Sequence, residues 1–369
     1  MQPDRLIHPG LRELEPYKAA LPDMTPARLK EHLQLEQVAK LSFNENSFGT
    51  SPRAIQAMKD ALDELHVYHD VDECGLKEML CAKHQVEPEQ ILLGNGADEI
   101  AQMTAMAFLG PGVEAIIPQP TYIQYEVSTL TMGADPVFVP VRDFAVDTRE
   151  ILARITPRTR LIFLCNPNNP TGTYTPRDEM DAFIRDLPDD VVVLMDEAYH
   201  DYVEADDYPA VEEYLNSGKL VMGVRTFSKN HGLAAARVGY GLGPQALVHT
   251  VARTRMQVNV NHIGLCGAAA SLTDLEHQRY VLEQTAAGKK YLYETFDRLG
   301  LFYVRSQGNF IFVDTNTDSA QMMNDLAARG VVVRPGYLFG FPTFLRVTVG
   351  TPTQNQVLAD ALAGILGSK

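Results

Sequence analysis

The sequence has no run of lysine or arginine, and 32 basic against 47 acidic residues leave a formal net charge of -15. A surface that binds nucleic-acid backbones needs basic stripes, so that class of function is excluded. Nor does it contain an uninterrupted apolar run of about 18 residues, which argues against a membrane-spanning helix. The opening Met1-Gln2-Pro3-Asp4-Arg5-Leu6 shows no basic region followed by a long apolar one. The expectation is a protein without a secretory signal, working in the cytoplasm. The cysteines, Cys74, Cys81, Cys165 and Cys266, are scattered without a Cys-x-x-Cys pair, which predicts reduced thiols that mostly pack. His66, His69, Asp70 and Asp72 fall close together, but their spacing fits no strong template and no metal is expected. Gly239, Gly241 and Gly243 lack the full dinucleotide fingerprint, which disfavours a nicotinamide site.

With 369 residues, 45% hydrophobic and 21% charged, the chain has an ordinary globular composition and enough length for a large core. Prolines 3, 9, 16, 22 and 26 punctuate a first segment that reads as an arm with one short helix from Thr25-Pro26. Ser51-Pro52 then opens an amphipathic helix with Ile55, Met58, Leu62 and Leu65 predicted to face inward. From there to about residue 240, short apolar strands alternate with helices. The strands are Ile91-Leu92-Leu93, Ala115-Ile116-Ile117, residues 161–164, residues 191–195 and residues 220–224, and a helix is expected to start at Tyr122 after the second of them. That alternation predicts an α/β fold, a mainly parallel sheet with helices on both faces. Beyond about 270 a long helix, short strands and a closing helix predict a smaller α+β lobe. The expected division is an arm over 1–45, a large domain over 46–270 and a small domain over 271–369.

Polar clusters fall at strand ends, where ligands bind in such sheets. Thr226-Phe227-Ser228-Lys229-Asn230-His231-Gly232 places a lysine at the mouth of a buried strand. Lost hydration there favours the neutral amine, a nucleophile able to form an imine. Gly94-Asn95-Gly96-Ala97-Asp98-Glu99 joins a strand to a helix start, where backbone N–H groups and the helix dipole suit an anion such as phosphate. Asn166-Pro167-Asn168-Asn169-Pro170-Thr171-Gly172 holds asparagine amides on a rigid, irregular backbone. Met195-Asp196-Glu197-Ala198-Tyr199 ends an apolar strand on an aspartate. That aspartate either faces a cation or caps a helix.

Together with Leu41-Ser42-Phe43-Asn44-Glu45-Asn46 and Leu345-Arg346-Val347-Thr348-Val349-Gly350-Thr351, these clusters stand in an order that resembles the pyridoxal-phosphate enzymes of the aspartate aminotransferase fold. Within that group the sequence most resembles the histidinol-phosphate aminotransferase family, over nearly its whole length.

The resemblance implies pyridoxal 5'-phosphate as cofactor, the fold type I architecture and a homodimer. It would make Lys229 the attachment and proton-transfer residue, and Asp196 the partner of the pyridine nitrogen. Asn169 and Tyr199 would bond the ring oxygen, and Tyr122 would stack on the ring face. The backbone amides of Ala97 and Asp98, with Ser228 and Arg237, would hold the cofactor phosphate, joined by Tyr68 from a neighbouring subunit. Arg346 would clamp the substrate α-carboxylate. Tyr17 and Asn46 would lie on the substrate side, and Arg334 would help bind a substrate phosphate.

The implied reaction is transamination between histidinol phosphate and 2-oxoglutarate. Aromatic or other amino acid transamination, and decarboxylation of a phosphorylated amino acid, remain open on the same scaffold. Asn230-His231 and Ala235-Ala236 depart from the commoner residues around the lysine, and the aromatic stretch 336–344 is either a substrate wall or core.

Overall fold

The computed structural model describes residues 6–70 and 73–367. In chain order the regular elements begin with α1 (Pro26–Leu33), β1 (Ala39–Leu41), α2 (Pro52–Asp60), α3 (Leu76–His84), β2 (Ile91–Gly94) and α4 (Ala97–Phe108). There follow β3 (Glu114–Gln119), α5 (Gln124–Thr131), β4 (Asp135–Pro140), α6 (Thr148–Ala153), β5 (Thr159–Cys165), α7 (Arg177–Asp186) and β6 (Val192–Asp196). Next come β7 (Leu220–Thr226), β8 (Gly239–Leu242), α8 (Gln245–Ala252), α9 (His262–Thr273) and α10 (Leu275–Arg298). The chain closes with β9 (Tyr303–Val304), β10 (Phe310–Asp314), α11 (Ser319–Ala327), β11 (Val331–Pro335), β12 (Phe344–Thr348) and α12 (Pro352–Leu366).

A seven-stranded sheet runs in the order β2-β8-β7-β6-β5-β3-β4. Its pairings are parallel except those of β8, which is antiparallel to both neighbours. The central strands β6 and β5 are buried along nearly their whole length, as expected of strands covered on both faces. One layer of core includes Ile162, Leu164, Val193 and Met195; the other includes Leu161, Phe163, Val192 and Leu194. A second sheet of five strands, β1-β11-β12-β10-β9, carries β1 from the N-terminal segment parallel to β11.

Caps explain several helix starts. Ser51 Oγ accepts from the Ala54 amide at 3.2 Å and donates to the Asp274 carboxylate at 2.6 Å. Asp274 in turn caps α10, so one hydroxyl ties the starts of two helices together. Gly239 explains the glycine-rich strand β8: an added Cβ would meet the Ala97 amide nitrogen at 2.6 Å. That strand passes directly under the start of α4, which only glycine permits.

Three expectations need correction. The helix opened by Ser51 stops at Asp60, its buried residue is Ala54, and Ile55, Leu62 and Leu65 are 39%, 50% and 55% exposed. Of the face read from their spacing, Met58 packs against the core beside Gly267 of α9, while Ile55, Leu62 and Leu65 lie on the surface of this chain. The helix expected at Tyr122 starts at Gln124, leaving Tyr122 in the preceding loop. Cys74 and Cys266 are not separate packing thiols but form a disulfide across 192 residues, while Cys81 and Cys165 are free. Sequence spacing gave no sign of that pair because α9 reaches Cys74 only through the tertiary fold.

Candidate active site

The strand ends of β2, β5, β6 and β7 bring four of the clusters together. Lys229 follows β7 and is half-buried, its Nζ donating to the Phe43 carbonyl at 3.3 Å and lying 5.6 Å from the Tyr199 ring centre. Burial, reinforced by the Arg346 charge, lowers its pKa from 10.5 to about 8. Asp196, the last residue of β6, is buried and accepts from the Tyr125 hydroxyl at 2.6 Å and the Ala198 amide at 2.9 Å. Burial raises its pKa to about 6 against those two hydrogen bonds. A capping aspartate would be satisfied by a helix amide; this one is held in the interior without an ion-pair partner among the described residues.

At the start of α4, Gly96 adopts φ +84°, and a Cβ there would lie 2.4 Å from Arg237 Nη2. Glycine therefore lets the guanidinium approach the N-terminus of the helix. Arg237 donates to Ser228 Oγ at 3.3 Å and to Asp98 Oδ2 at 3.2 Å. Tyr122 also reaches Asp98, donating at 3.0 Å, and its ring stands edge-on to Tyr125 with centres 5.7 Å apart. The backbone amides of Ala97 and Asp98, Ser228 and Arg237 thus surround one helix N-terminus, a geometry suited to an anion.

On the opposite wall, β12 delivers Arg346, buried to 6% exposure. Its Nη1 donates to Asn169 Oδ1 and its Nη2 to the Ser42 carbonyl, both at 2.7 Å, while Nε has no partner. Among the described residues, no carboxylate pairs with it. Burial lowers its pKa to about 10, and neighbouring Arg334 adds to the drop. An uncompensated buried guanidinium is costly, and a carboxylate delivered from outside would offset that cost. Tyr199, buried with its pKa raised by burial against the Arg346 charge, accepts from Asn44 Nδ2 at 2.9 Å.

The remaining sequence candidates spread outward. Asn46 donates to the Asn230 carbonyl at 2.9 Å and so braces the lysine loop. Arg334 is register-paired with Arg346 across β11 and β12, but it is bonded to Asp23. Burial would raise the Asp23 pKa; bonds from Ala20 and Tyr17 and the Arg334 charge outweigh it and lower the pKa overall. Tyr17 belongs to the same cluster and is 71% exposed. Tyr68 is 90% exposed, away from the other candidates in this chain.

His231 faces the core: its ring packs on Phe227 at 4.7 Å and bonds Ser271 at 3.0 Å, and burial pulls its pKa down to about 4. The aromatic stretch divides, with Phe339 under the Arg346 guanidinium and Phe341 and Phe344 packed on Phe312. His66, His69 and Asp70 form no metal-ligand cluster with one another, and Asp72 lies outside the described residues.

Tyr125, Asn44 and Asn168 also join the site, although the sequence singles out none of them individually. Tyr125 is internal to α5 and looks like packing until its hydroxyl meets Asp196. Asn168 accepts from the Thr121 hydroxyl at 2.8 Å and locks the loop before Tyr122 to the Asn-Pro run.

The model of the family "Aminotransferase class I and II" matches residues 36–362. The chain belongs to the class I and II aminotransferases, and it is an enzyme of that transferase type. A histidinol-phosphate aminotransferase of Moorella thermoacetica is 43% identical over 97% of this chain and 92% of its own length. A histidinol-phosphate aminotransferase of Carboxydothermus hydrogenoformans is 38% identical over 98% and 99%. Within its class the chain belongs to the histidinol-phosphate aminotransferase family. The solved Sinorhizobium meliloti histidinol-phosphate aminotransferase, in complex with pyridoxal-5'-phosphate, superposes with a TM-score of 0.89 at 26% identity, over 98% of each chain. A Thermus thermophilus aspartate aminotransferase with maleate, 23% identical with a TM-score of 0.84 over 98% of this chain and 99% of its own, shares the fold.

Proposed function

We propose that this enzyme transaminates histidinol phosphate and 2-oxoglutarate with pyridoxal 5'-phosphate, in a site completed by dimerisation. The observation that carries the cofactor is the pairing of Lys229, whose amine has lost basicity through burial, with the buried carboxylate of Asp196. The residues fit that group. Among the described residues Asp196 has the Tyr125 hydroxyl and the Ala198 amide as hydrogen-bond partners and no ion pair, which suits a cationic ring nitrogen, and the Gly96 turn with Arg237 and Ser228 offers a phosphate cradle. Bound there, the cofactor supplies an electron sink for the substrate's α-carbon and a carrier for its amino group.

The protein's own residues supply the rest. Asp196 lies at the end of β6, held by Tyr125, to keep the ring nitrogen protonated. Lys229 Nζ, neutral in part at about pH 8, would take and move the proton of the substrate Cα. Asn169 and Tyr199 would hold the ring oxygen, and Tyr122 would cover the ring. Arg346 fixes the α-carboxylate of an amino-acid or oxo-acid substrate, which sets Cα against Lys229.

Support for the substrate comes from the named relatives and from the position of Arg334, Tyr17 and Asn46 outward of Arg346. Arg334 reaches a substrate phosphate by sharing or leaving Asp23. Support for the dimer comes from one exposed segment in which Val67 and Tyr68, 63% and 90% exposed, continue the apolar surface of Ile55, Leu62 and Leu65. In this reading Tyr68 reaches the cofactor phosphate across the interface, the 1–45 arm packs against the small domain or the partner subunit, and substrate lies between domains 46–270 and 271–369.

Steady-state kcat/KM on histidinol phosphate, phenylalanine and O-phosphothreonine, with carbon dioxide followed in parallel, tests the substrate. The expected result is a large preference for histidinol phosphate without carbon dioxide release. A preference for phenylalanine would remove the phosphate role from Arg334, and carbon dioxide release would replace transamination with decarboxylation.

A further inference from the structure

Outside the active site, one cluster of ligating side chains has no part in the chemistry above. Cys74, from the turn before α3, meets Cys266 on α9, and His262 stands one helical turn before Cys266 on the same face of that helix. One ligand atom from each of these three residues lies within 4.8 Å of the other two. The His262 ring presents Nδ1 and Nε2 at 3.7 and 3.9 Å from Cys266 Sγ. Its Nε2 also faces Glu64 Oε2 at 3.6 Å. A carboxylate behind one ring nitrogen is the usual way an imidazole is turned to offer the other to a metal. His69 adds a second imidazole, with ring centres 5.7 Å apart, and its own ring is bonded to the backbone of Val260.

A disulfide needs the two sulfurs alone and has no use for an oriented imidazole beside them. We propose that, with Cys74 and Cys266 reduced, the two thiolates and His262 Nδ1 bind a thiophilic divalent cation of the zinc type, with water in the fourth position. Two sulfurs and imidazole nitrogen are the donor set that selects zinc over magnesium or calcium. The bridge opens by exchange with a dithiol reductant, which leaves as its own disulfide, so two electrons and two protons arrive at Cys74 and Cys266. Both protons depart when the ion binds the thiolates. All three ligands are half-buried, so solvent reaches the site. The ion would pin the segment carrying Tyr68 to α9, a positional role separate from transamination.

The test uses the holoenzyme treated with a dithiol reductant and then freed of it. Zinc chloride is added, and bound metal is measured by mass spectrometry after exhaustive exchange into metal-free buffer. Cobalt(II) is used in parallel as a spectroscopic probe. About one ion per chain is expected, with a thiolate-to-cobalt charge-transfer band and the intense visible bands of a tetrahedral ion. Cys74→Ser with Cys266→Ser should abolish both signals, and His262→Ala, which removes a ligand, should weaken binding by more than the roughly 10–100-fold typical of losing an outer-shell partner. The double serine variant should keep its visible cofactor absorbance and far-ultraviolet circular dichroism, which separates metal loss from misfolding. The proposal is overturned if the reduced wild type retains no more zinc than the double serine variant, or if cobalt binds without a thiolate band.

Discussion

Replacing Arg346 with methionine separates what this residue costs the free enzyme from what it contributes to substrate binding. The drop in its pKa from 12.5 to about 10 corresponds to about 3 kcal/mol against holding the cation in its buried place. Because the pKa of a cationic group is depressed, that cost is present in full below about pH 10, hence throughout the working range. Methionine fills similar volume and removes the cost, but it leaves the Ser42 carbonyl and the Asn169 amide oxygen without their 2.7 Å donors. Two lost partners cost about 1–3 kcal/mol each when buried, so the free variant should lie between about 1 kcal/mol above and about 3 kcal/mol below wild type. Substrate binding behaves differently. Loss of a buried bidentate partner for a carboxylate costs about 2–5 kcal/mol, a rise in KM on the order of 30- to several-thousand-fold. Thermal denaturation with and without saturating 2-oxoglutarate reads both quantities. Wild type should gain Tm with the oxo acid and Arg346→Met should gain almost none. A variant that unfolds more than about 4 kcal/mol below wild type, or keeps KM within threefold, would refute this account of an unpaired guanidinium awaiting a carboxylate.

Asp196→Asn should leave the apoprotein folded and lower kcat on the order of a thousandfold, because a neutral amide cannot hold a proton on the ring nitrogen. The Asp196 pKa is raised from 3.8 to about 6 by burial, so in the apoprotein stability falls as pH rises from about 4 to 6 and the full cost stands above 6. Urea unfolding of the apoprotein at several pH values should show this slope in wild type and its loss in the variant. His231, with its pKa lowered to about 4, works the other way: stability is lost as pH falls from about 6.5 toward 4, and His231→Gln should flatten that limb without changing the substrate preference. Tyr68→Phe should leave chain stability within about 0.5 kcal/mol, since the side chain is 90% exposed, yet raise the Kd for the cofactor in a fluorescence titration.

The placement of the candidate site was legible where it is compressed into short strand-end motifs. Lys229, Asp196 and the Gly94-to-Glu99 turn each combine an apolar run with a polar residue at its end, and a parallel sheet brings such ends together by topology alone. Arg346 was legible through its strand, but the absence of a carboxylate partner was not, since that depends on which carbonyls happen to face it. Contacts between distant segments left no local trace. The Tyr125 hydroxyl meets Asp196 across 71 residues, and Asp23 meets Arg334 across 311. The helix face of Ile55 and the following Leu62 and Leu65 misled for a different reason: periodicity reports that an apolar face will be covered, without saying whether by the same chain.

The central claim is that Lys229 is the residue to which the cofactor attaches. Borohydride treatment of the holoenzyme, followed by proteolysis and mass spectrometry of the peptides, tests it most directly. The account predicts a pyridoxyl group on the peptide that contains Lys229, and a Lys229→Ala protein that carries no such label and does not turn over. A label fixed on another lysine, or a Lys229→Ala protein that still transaminates, would contradict it.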